Sequence, residues 1–443
     1  MAGYGRAHGK RCYVKLALVT VVAGLLPATA GAEVIAPGGD TPVMAVSAAG
    51  TPTVAYLDGR ALVVTTRTPS GWTPSRVALP VPATEADVVT VAVGRDGRPA
   101  VLVEDLVRRT LVVAWRRPSR WLVVRAARLS ARVQLGIGGL ALARSGEPLV
   151  AYAFREPSKK TYLRLVRIDA HGRATTIGIT KLGFPGSALP PSAVPHISSS
   201  GAVRVVEAYT SAVIDWFRTG RTWTGQYLFE SARGTPLGRI LAVPVRGTTV
   251  VAWTQDYPEF GETHVVLQEG RPTGDVQILL THATLAALTV ADGVPEVAAN
   301  DWVDVDGSTV FAGMLAFLDA PPVELDGYVA GYAAVGATRQ LLLETDRGLE
   351  WFSAPRPSIR VSFAVDGTGA ATGRVDGTTG GSVQIFRDAP DTGRLLVATV
   401  PVAADGSFSA RVPASPTLYR AVYRDPSTGI PYAALLRSPV VPG

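Results

Sequence analysis

Cysteine is nearly absent from the 443 residues, and the one present, Cys12, precedes the first apolar run. Disulfides, thiol catalysis and cysteine-ligated metals are thereby excluded from the rest of the chain. Lysine is scarce: Lys10, Lys15, Lys159, Lys160 and Lys181 are the whole set, and Asn300 is the single asparagine, a bias typical of a GC-rich genome. Long hydrophobic runs are missing too. The run Leu16 to Leu26 stops before Pro27, short of the roughly 20 residues that cross a bilayer, and no later run is longer. Charged residues make up only 18%, too few for a nucleic-acid-binding tail.

What is present at the N-terminus reads as a leader. Arg6, Lys10, Arg11 and Lys15 carry no acidic neighbour, the apolar run follows, and Ala30-Gly31-Ala32 has the small-x-small pattern of a cleavage site. Residues 1–32 are therefore expected to be a secretory signal peptide and the protein to be exported. Subtracting those four basic residues lowers the net charge from +7 to +3, so no nucleic-acid partner is expected.

Glycine (46) and proline (33) are spread between valine-rich runs, the distribution of a turn-rich β protein. A short pattern recurs: Gly50-Thr-Pro-Thr-Val-Ala-Tyr56 and Gly146-Glu-Pro-Leu-Val-Ala-Tyr152 are the clearest copies, with variants beginning at Gly97, Gly201, Gly247, Gly293 and Gly336. The spacings are 47, 49, 55, 46, 46 and 43 residues, the range of propeller blades. A second pattern keeps the same phase: Arg67-Thr-Pro-Ser-Gly-Trp72, Arg116-Arg-Pro-Ser-Arg-Trp121 and, more loosely, Arg218 to Trp223. Each repeat reads as four short strands without helical periodicity, for example 43–48, 53–57, 62–67 and 72–79. The expectation is an all-β chain with a seven-bladed β-propeller over 33–355. The seventh repeat lacks an outer strand, and Glu33 to Pro37 is free to supply it and close the ring.

From Ser358 the pattern changes to short alternating strands joined by Asp-Gly turns, among them Gly373-Arg-Val-Asp-Gly377, Ser382 to Arg387, Ala404-Asp-Gly-Ser-Phe408 and Leu418-Tyr-Arg-Ala421. Residues 358–443 are expected to form an antiparallel sandwich with Val383, Ile385, Phe408 and Tyr419 inside. The segment resembles bacterial immunoglobulin-like domains, which implies a spacer or adhesive β-sandwich. The tryptophans Trp72, Trp121 and Trp223 resemble the aromatic position of the Asp-box (BNR) repeat of sialidase-like propellers, although the aspartate of the box is absent from all three. Phe154-Arg-Glu-Pro157 is similar to that family's first-arginine motif but lies in the third repeat, so it is not carried over as catalytic.

The connections between second and third strands are rich in charge and would share one rim. They contain Asp58; Glu104, Asp105, Arg108 and Arg109; Arg155, Glu156, Lys159 and Lys160; Asp256, Tyr257, Glu259, Phe260, Glu262 and His264; Asp301, Trp302, Asp304 and Asp306; and Asp346 with Arg347. Solvated hairpin tips account for the charge. They do not account for Tyr257, Phe260 and Trp302, and aromatic rings beside carboxylates suit a sugar or a cation. The ligand-binding expectation rests on Glu104, Asp105, Arg155, Glu156, Asp256, Tyr257, Glu259, Glu262, His264 and Trp302. Asp301, Asp304 and Asp306 alternate toward Gly307 and could wrap Ca²⁺, although Trp302 stands where the usual loop has another oxygen ligand. No other cofactor is indicated. Two histidines at helical i, i+4 spacing, phosphate loops and Gly-x-Ser-x-Gly elbows are all missing.

Two functions follow from this reading. One is a secreted, non-enzymatic recognition protein whose rim binds a glycan or a protein, with non-covalent association to a cell surface. The other is a sialidase-like hydrolase or lyase using carboxylates among Glu104, Asp256, Glu259, Glu262 and Asp301.

Overall fold

The computed structural model describes residues 32–80, 88–158, 160–182, 192–198, 200–209, 212–230, 235–245, 248–257, 262–269, 276–305, 308–389, 393–414 and 417–436. All of the expected leader except its last residue, Ala32, therefore lies outside the described residues, as do Lys159, Glu259, Phe260 and Asp306. The protein is all β: among the described residues there is no helix. Among the described residues no helix is long and apolar enough to cross a membrane.

The repeats become seven antiparallel sheets in chain order. Their first strands are Asp40–Val46, Val88–Val93, Gly139–Leu142, Ser192–Ile197, Thr235–Val245, Ala283–Ala291 and Tyr328–Val335. Each of these strands packs against the first strand of the next sheet, and Tyr328–Val335 returns to Asp40–Val46, so the order is cyclic. Separate apolar clusters fill the interfaces. Sheets 1 and 2 meet through Leu57, Leu62 and Val64 against Val101 and Val103, and sheets 7 and 1 through Leu342, Leu349 and Trp351 against Val54 and Val63. Second strands are covered on both faces, which is why Pro52–Asp58 and Pro99–Asp105 are apolar almost without alternation. Burying each such valine or leucine contributes about 1.5–3 kcal/mol.

The repeat glycine has a steric cause. Gly50, Gly97, Gly146 and Gly201 all have φ between 76° and 89° in the turn from first to second strand. In each case the glycine N–H donates to the carbonyl three residues back: Ser47, Gly94, Ala143 and Ser198, at 2.8–2.9 Å. A side chain at that left-handed position would be strained.

The expected closing strand is present. Ala32–Ala36 pairs with Gly348–Pro355 as the outer strand of sheet 7, in the register Glu33↔Trp351. The second repeat pattern explains how it is held. The Glu33 carboxylate accepts from Arg67 Nε (2.9 Å) and Trp72 Nε1 (2.8 Å) on sheet 1, and Trp72 meets Trp351 edge to face at 5.6 Å. The Arg67 hydrogen bond holds the Glu33 carboxyl below the ordinary range. In the third copy, Trp223 of sheet 4 lies against Gly178 of sheet 3, where an added Cβ would come within 2.6 Å of the indole nitrogen. These tryptophans are wedges between neighbouring sheets.

Residues beyond 355 form two further sheets, Arg360–Val365, Ala370–Asp376 and Ser407–Arg411 in one, and Gly393–Pro401, Ser382–Ala389, Leu418–Arg424 and Pro431–Leu435 in the other. Val383, Ile385, Phe408 and Tyr419 are buried between them, as expected. The second of these sheets does not stand apart: Leu325, in the outer strand of sheet 6, pairs with Tyr432, making an eight-stranded sheet. One apolar core runs from Leu315 and Phe352 to Val383 and Tyr419. Polar groups close the seam. Asp326 bridges Arg394 and Arg420 at 2.7–3.0 Å, and Glu324 accepts from the Leu435 N–H at 2.7 Å.

Candidate functional site

Several residues expected on the rim belong instead to the framework. Glu104 is fully buried, and its Oε2 accepts the Gly138 N–H at 2.7 Å. The inner strand of sheet 3 breaks there: Gln134–Leu135 and Gly139–Leu142 pair separately with Pro148–Arg155. The carboxylate supplies an acceptor where the ladder is interrupted. Asp105 is 6% exposed and folds back on its own turn, accepting from Arg108 N (2.6 Å) and Arg108 Nη1 (3.0 Å). Glu156 takes part in a local turn, its N–H donating to the Lys160 carbonyl and its carboxylate accepting from Ser158. Arg155 ends its strand half-buried, paired in register with Thr161.

The fifth and sixth connections are shorter than expected because the strands continue into them. Asp256 and Tyr257 pair with Thr263 and Glu262, and His264 pairs with Gln255, all inside the ladder of sheet 5. On sheet 6, Val294–Val305 carries Asp301, Trp302 and Asp304 as strand residues opposite Ala312, Phe311 and Thr309. The segment expected to wrap Ca²⁺ is thus extended from Asp301 to Val305, three residues of such chain spanning about 10 Å, and Asp306 and Gly307 lie outside the described residues. Among the described residues no three His, Cys, Asp or Glu side chains are grouped to hold a metal. Glu104 and Asp301 lie on sheets 2 and 6, which are not neighbours in the ring.

One expected residue does reach a cavity. Asp301, 5% exposed, lines a hollow of about 360 Å³ where sheet 5 hands over to sheet 6. Ile278, Leu279, Leu280, Met314 and Pro322 form apolar walls, and Thr281 and His282 stand at the exposed edge. Sheet 5 ends at Thr281 and sheet 6 begins at Ala283, so His282 makes the whole connection alone, with φ 59°. A left-handed histidine is strained relative to extended backbone. Ile278 is 55% exposed beside it. Thr281 pairs with His264, which places the cavity near the strand ends that lead into the second-to-third connection of sheet 5. Sequence reading selected Asp301 but neither the apolar wall nor His282, because both arise where consecutive sheets meet.

Buried ionisable groups elsewhere are occupied or enclosed. Glu207 accepts from Trp216 Nε1 at 2.9 Å, and burial, only partly offset by that bond, pushes its carboxyl up to about 8. His196 packs inside sheet 4, 3.7 Å from Asp215, which Arg204 also pairs.

No protein-family model matches the chain, and no curated protein does. Among solved structures, a Hadza microbial sialidase is similar at 14% identity and TM-score 0.39, the match covering 72% of this chain and 66% of the sialidase. The β-propeller domain of the Trilobed protease from Pyrococcus furiosus matches at 8% identity and TM-score 0.40, over 74% of this chain and 97% of that domain. An exo-β-1,3-galactanase from Phanerochaete chrysosporium matches at 11% identity and TM-score 0.34, over 90% and 96%.

Proposed function

We propose that the chain is an exported seven-bladed β-propeller carrying an immunoglobulin-like sandwich, and that it recognises a glycan in the cavity beside Asp301. The cyclic packing of seven sheets and the pairing of Ala32–Ala36 onto sheet 7 support the propeller. For the tail, strands one, two and five share one sheet and strands three, six and seven the other, with strand four added beside strand three. Tyr419, at the start of the sixth strand, donates its hydroxyl to the Pro413 carbonyl six residues upstream, the arrangement of a tyrosine corner.

The observation that carries the glycan reading is the cavity's chemistry. A buried carboxylate accepts hydrogen bonds from sugar hydroxyls, while Leu279, Leu280 and Met314 offer the apolar surface on which a ring face packs. A volume of about 360 Å³ suits one or two sugar residues. Cleavage would require a second carboxylate facing the first across the scissile bond. Asp301 is the acid lining this cavity among the described residues, which favours binding over hydrolysis.

A glycan array probed with the full chain, followed by mass spectrometry of the captured glycan, tests this. Binding of intact glycan, weakened at least tenfold by Asp301→Asn with an unchanged melting curve, is the expected result. Shortened glycan would move the assignment to a hydrolase or lyase. Undiminished binding by the variant would remove the cavity from the account. Repeating the array with Ca²⁺ and with a chelator isolates any contribution of a metal.

A further inference from the structure

The outer strand of sheet 2, Trp121–Arg128, carries Arg125 and Arg128 three positions apart. In a regular strand that spacing sends side chains to opposite faces. Here the register slips: Thr110 pairs with Arg128 and Leu111 with Ala127, but Val112 pairs with Arg125, leaving Ala126 as the extra residue of a bulge. Thr110 and Val112 share a face, so the bulge puts both arginines on that face.

The adjoining turn brings two more. Arg109 has φ 54°, and its guanidinium is held by the carbonyls of Val133 (2.5 Å) and Val107 (2.9 Å), while its own carbonyl accepts the Leu129 N–H at 3.0 Å. Arg108 is fixed by Asp105. Together Arg108, Arg109, Arg125 and Arg128 line a cavity of about 380 Å³, with Val107, 64% exposed, at its lip. Of these four, only Arg108 has a carboxylate in ion-pair contact among the described residues. Arg125 and Arg128 are exposed and have no such partner. Folding gains nothing from concentrating unmatched positive charge around one hollow, whereas guanidinium forks match the oxygens of an oxyanion in geometry and charge.

We propose that this cavity is an oxyanion site, taking a sulfate, phosphate or carboxylate group. It lies on sheet 2, apart from the Asp301 cavity on sheet 6, and does not depend on that reading. The fixed backbone contacts of Arg109 and Arg108 preorganise one wall, and Arg125 and Arg128 supply the adjustable charge. Thr110, also on the lining, donates its hydroxyl to the Arg108 carbonyl at 3.3 Å and so steadies the same wall.

Calorimetric titration of the full chain tests the site with three probes: a chondroitin sulfate tetrasaccharide, a hyaluronan tetrasaccharide bearing carboxylates alone, and inorganic sulfate or phosphate. Binding that weakens with salt, and that falls at least tenfold in the Arg125→Gln/Arg128→Gln variant, is expected. Arg125→Lys/Arg128→Lys should recover part of it, and Arg360→Gln, exposed on the tail strand Arg360–Val365, should change nothing. Tighter binding of a tetrasaccharide than of the free ions identifies an acidic polysaccharide as the source; equal or tighter binding of the free ions identifies a small anion. Either result leaves the site standing. Failure of all three probes to bind, or equal affinity in the Gln variant and the parent chain, would overturn it. Matching melting curves for parent and variants would show that any loss comes from the site itself.

Discussion

Two arginine clusters in this protein differ in what faces them. At the seam between sheet 6 and the tail, Arg394 and Arg420 meet Asp326 and Asp388 inside the molecule, and Arg420 also donates to the Phe311 carbonyl at 3.0 Å. On sheet 2, Arg125 and Arg128 face open space beside Arg108 and Arg109. Burial demands charge balance, because a buried guanidinium without a carboxylate costs several kcal/mol, whereas water tolerates an unmatched one. The matched cluster therefore belongs to folding. The unmatched one is free to recognise something.

The largest expected effect comes from unbalancing the matched cluster. Burial is the strongest influence on Asp326 and acts to raise its pKa, but Arg420 and Arg394 together outweigh it and hold the carboxyl below the ordinary range. Its neighbour Asp388 moves the other way, because burial there exceeds the pull of the same arginines. Asp326→Ala removes the carboxylate that two guanidiniums share, one of them deeply buried, and should cost about 3–5 kcal/mol in denaturant unfolding. Replacing Asp326 and Arg420 together by apolar residues should cost less than the sum of the single changes. Because its folded pKa is depressed, Asp326 contributes stability above its unfolded pKa and loses it as pH falls through the folded value. A stability gap between the parent and the Asp326→Asn variant that fails to narrow as pH falls would contradict this account.

Glu207 extends the comparison to a buried acid that lacks a cationic partner among the described residues. Trp216 is the neighbour that satisfies one oxygen, and among the described residues Oε1 has no hydrogen-bond partner. With the folded pKa raised to about 8, its contribution is fully present below the unfolded pKa and is lost as pH climbs from there through the folded value. Stability should drop across that window by an amount on the order of a few kcal/mol. Glu207→Gln keeps the acceptor for the indole and should flatten the dependence, measured as melting temperature between pH 5 and pH 9. An unchanged slope would mean that other groups set it.

The latch formed by Glu33 sits between these extremes, its side chain 34% exposed and shared by Arg67 and Trp72. Glu33→Ala should cost about 1–2 kcal/mol, the worth of charge-assisted hydrogen bonds at a partly exposed site. Proteolysis near Ala32–Ala36 should quicken in parallel, since this strand is held to sheet 7 at its outer edge. Equal cleavage rates in parent and variant would assign the latch to the ladder instead of to the side chain.

These contrasts also mark what residues can disclose before folding. The turn glycines were legible because a left-handed residue excludes other side chains locally, and the short seventh repeat announced its missing strand. Glu104 misled because it looks like a loop acid in the chain, while its acceptor role depends on a break in the next sheet. Asp301 and Asp304 looked like turn residues because aspartates favour turns, yet the pairing with Ala312 through Thr309 carries the strand past both. The tail joins the ladder of sheet 6 by the pairing of Leu325 with Tyr432, across more than a hundred residues, and no local pattern encodes that. The Arg125 and Arg128 cavity was hidden by the bulge, which reverses the facing that strand alternation dictates.

The smallest effect is the one that separates the two clusters most sharply. Arg125→Gln/Arg128→Gln removes two exposed charges that are ion-paired to nothing among the described residues, so unfolding free energy should stay within about 0.5 kcal/mol of the parent. Any shift should be upward at low salt, where repulsion among the four guanidiniums is least screened, and should vanish as salt shortens the Debye length to a few ångströms. A loss above about 1 kcal/mol would show that these arginines hold the bulge in place, and the contrast with the Asp326 seam would become one of degree. Stability unchanged together with lost anion binding would establish that one residue type serves folding where carboxylates meet it and recognition where they do not.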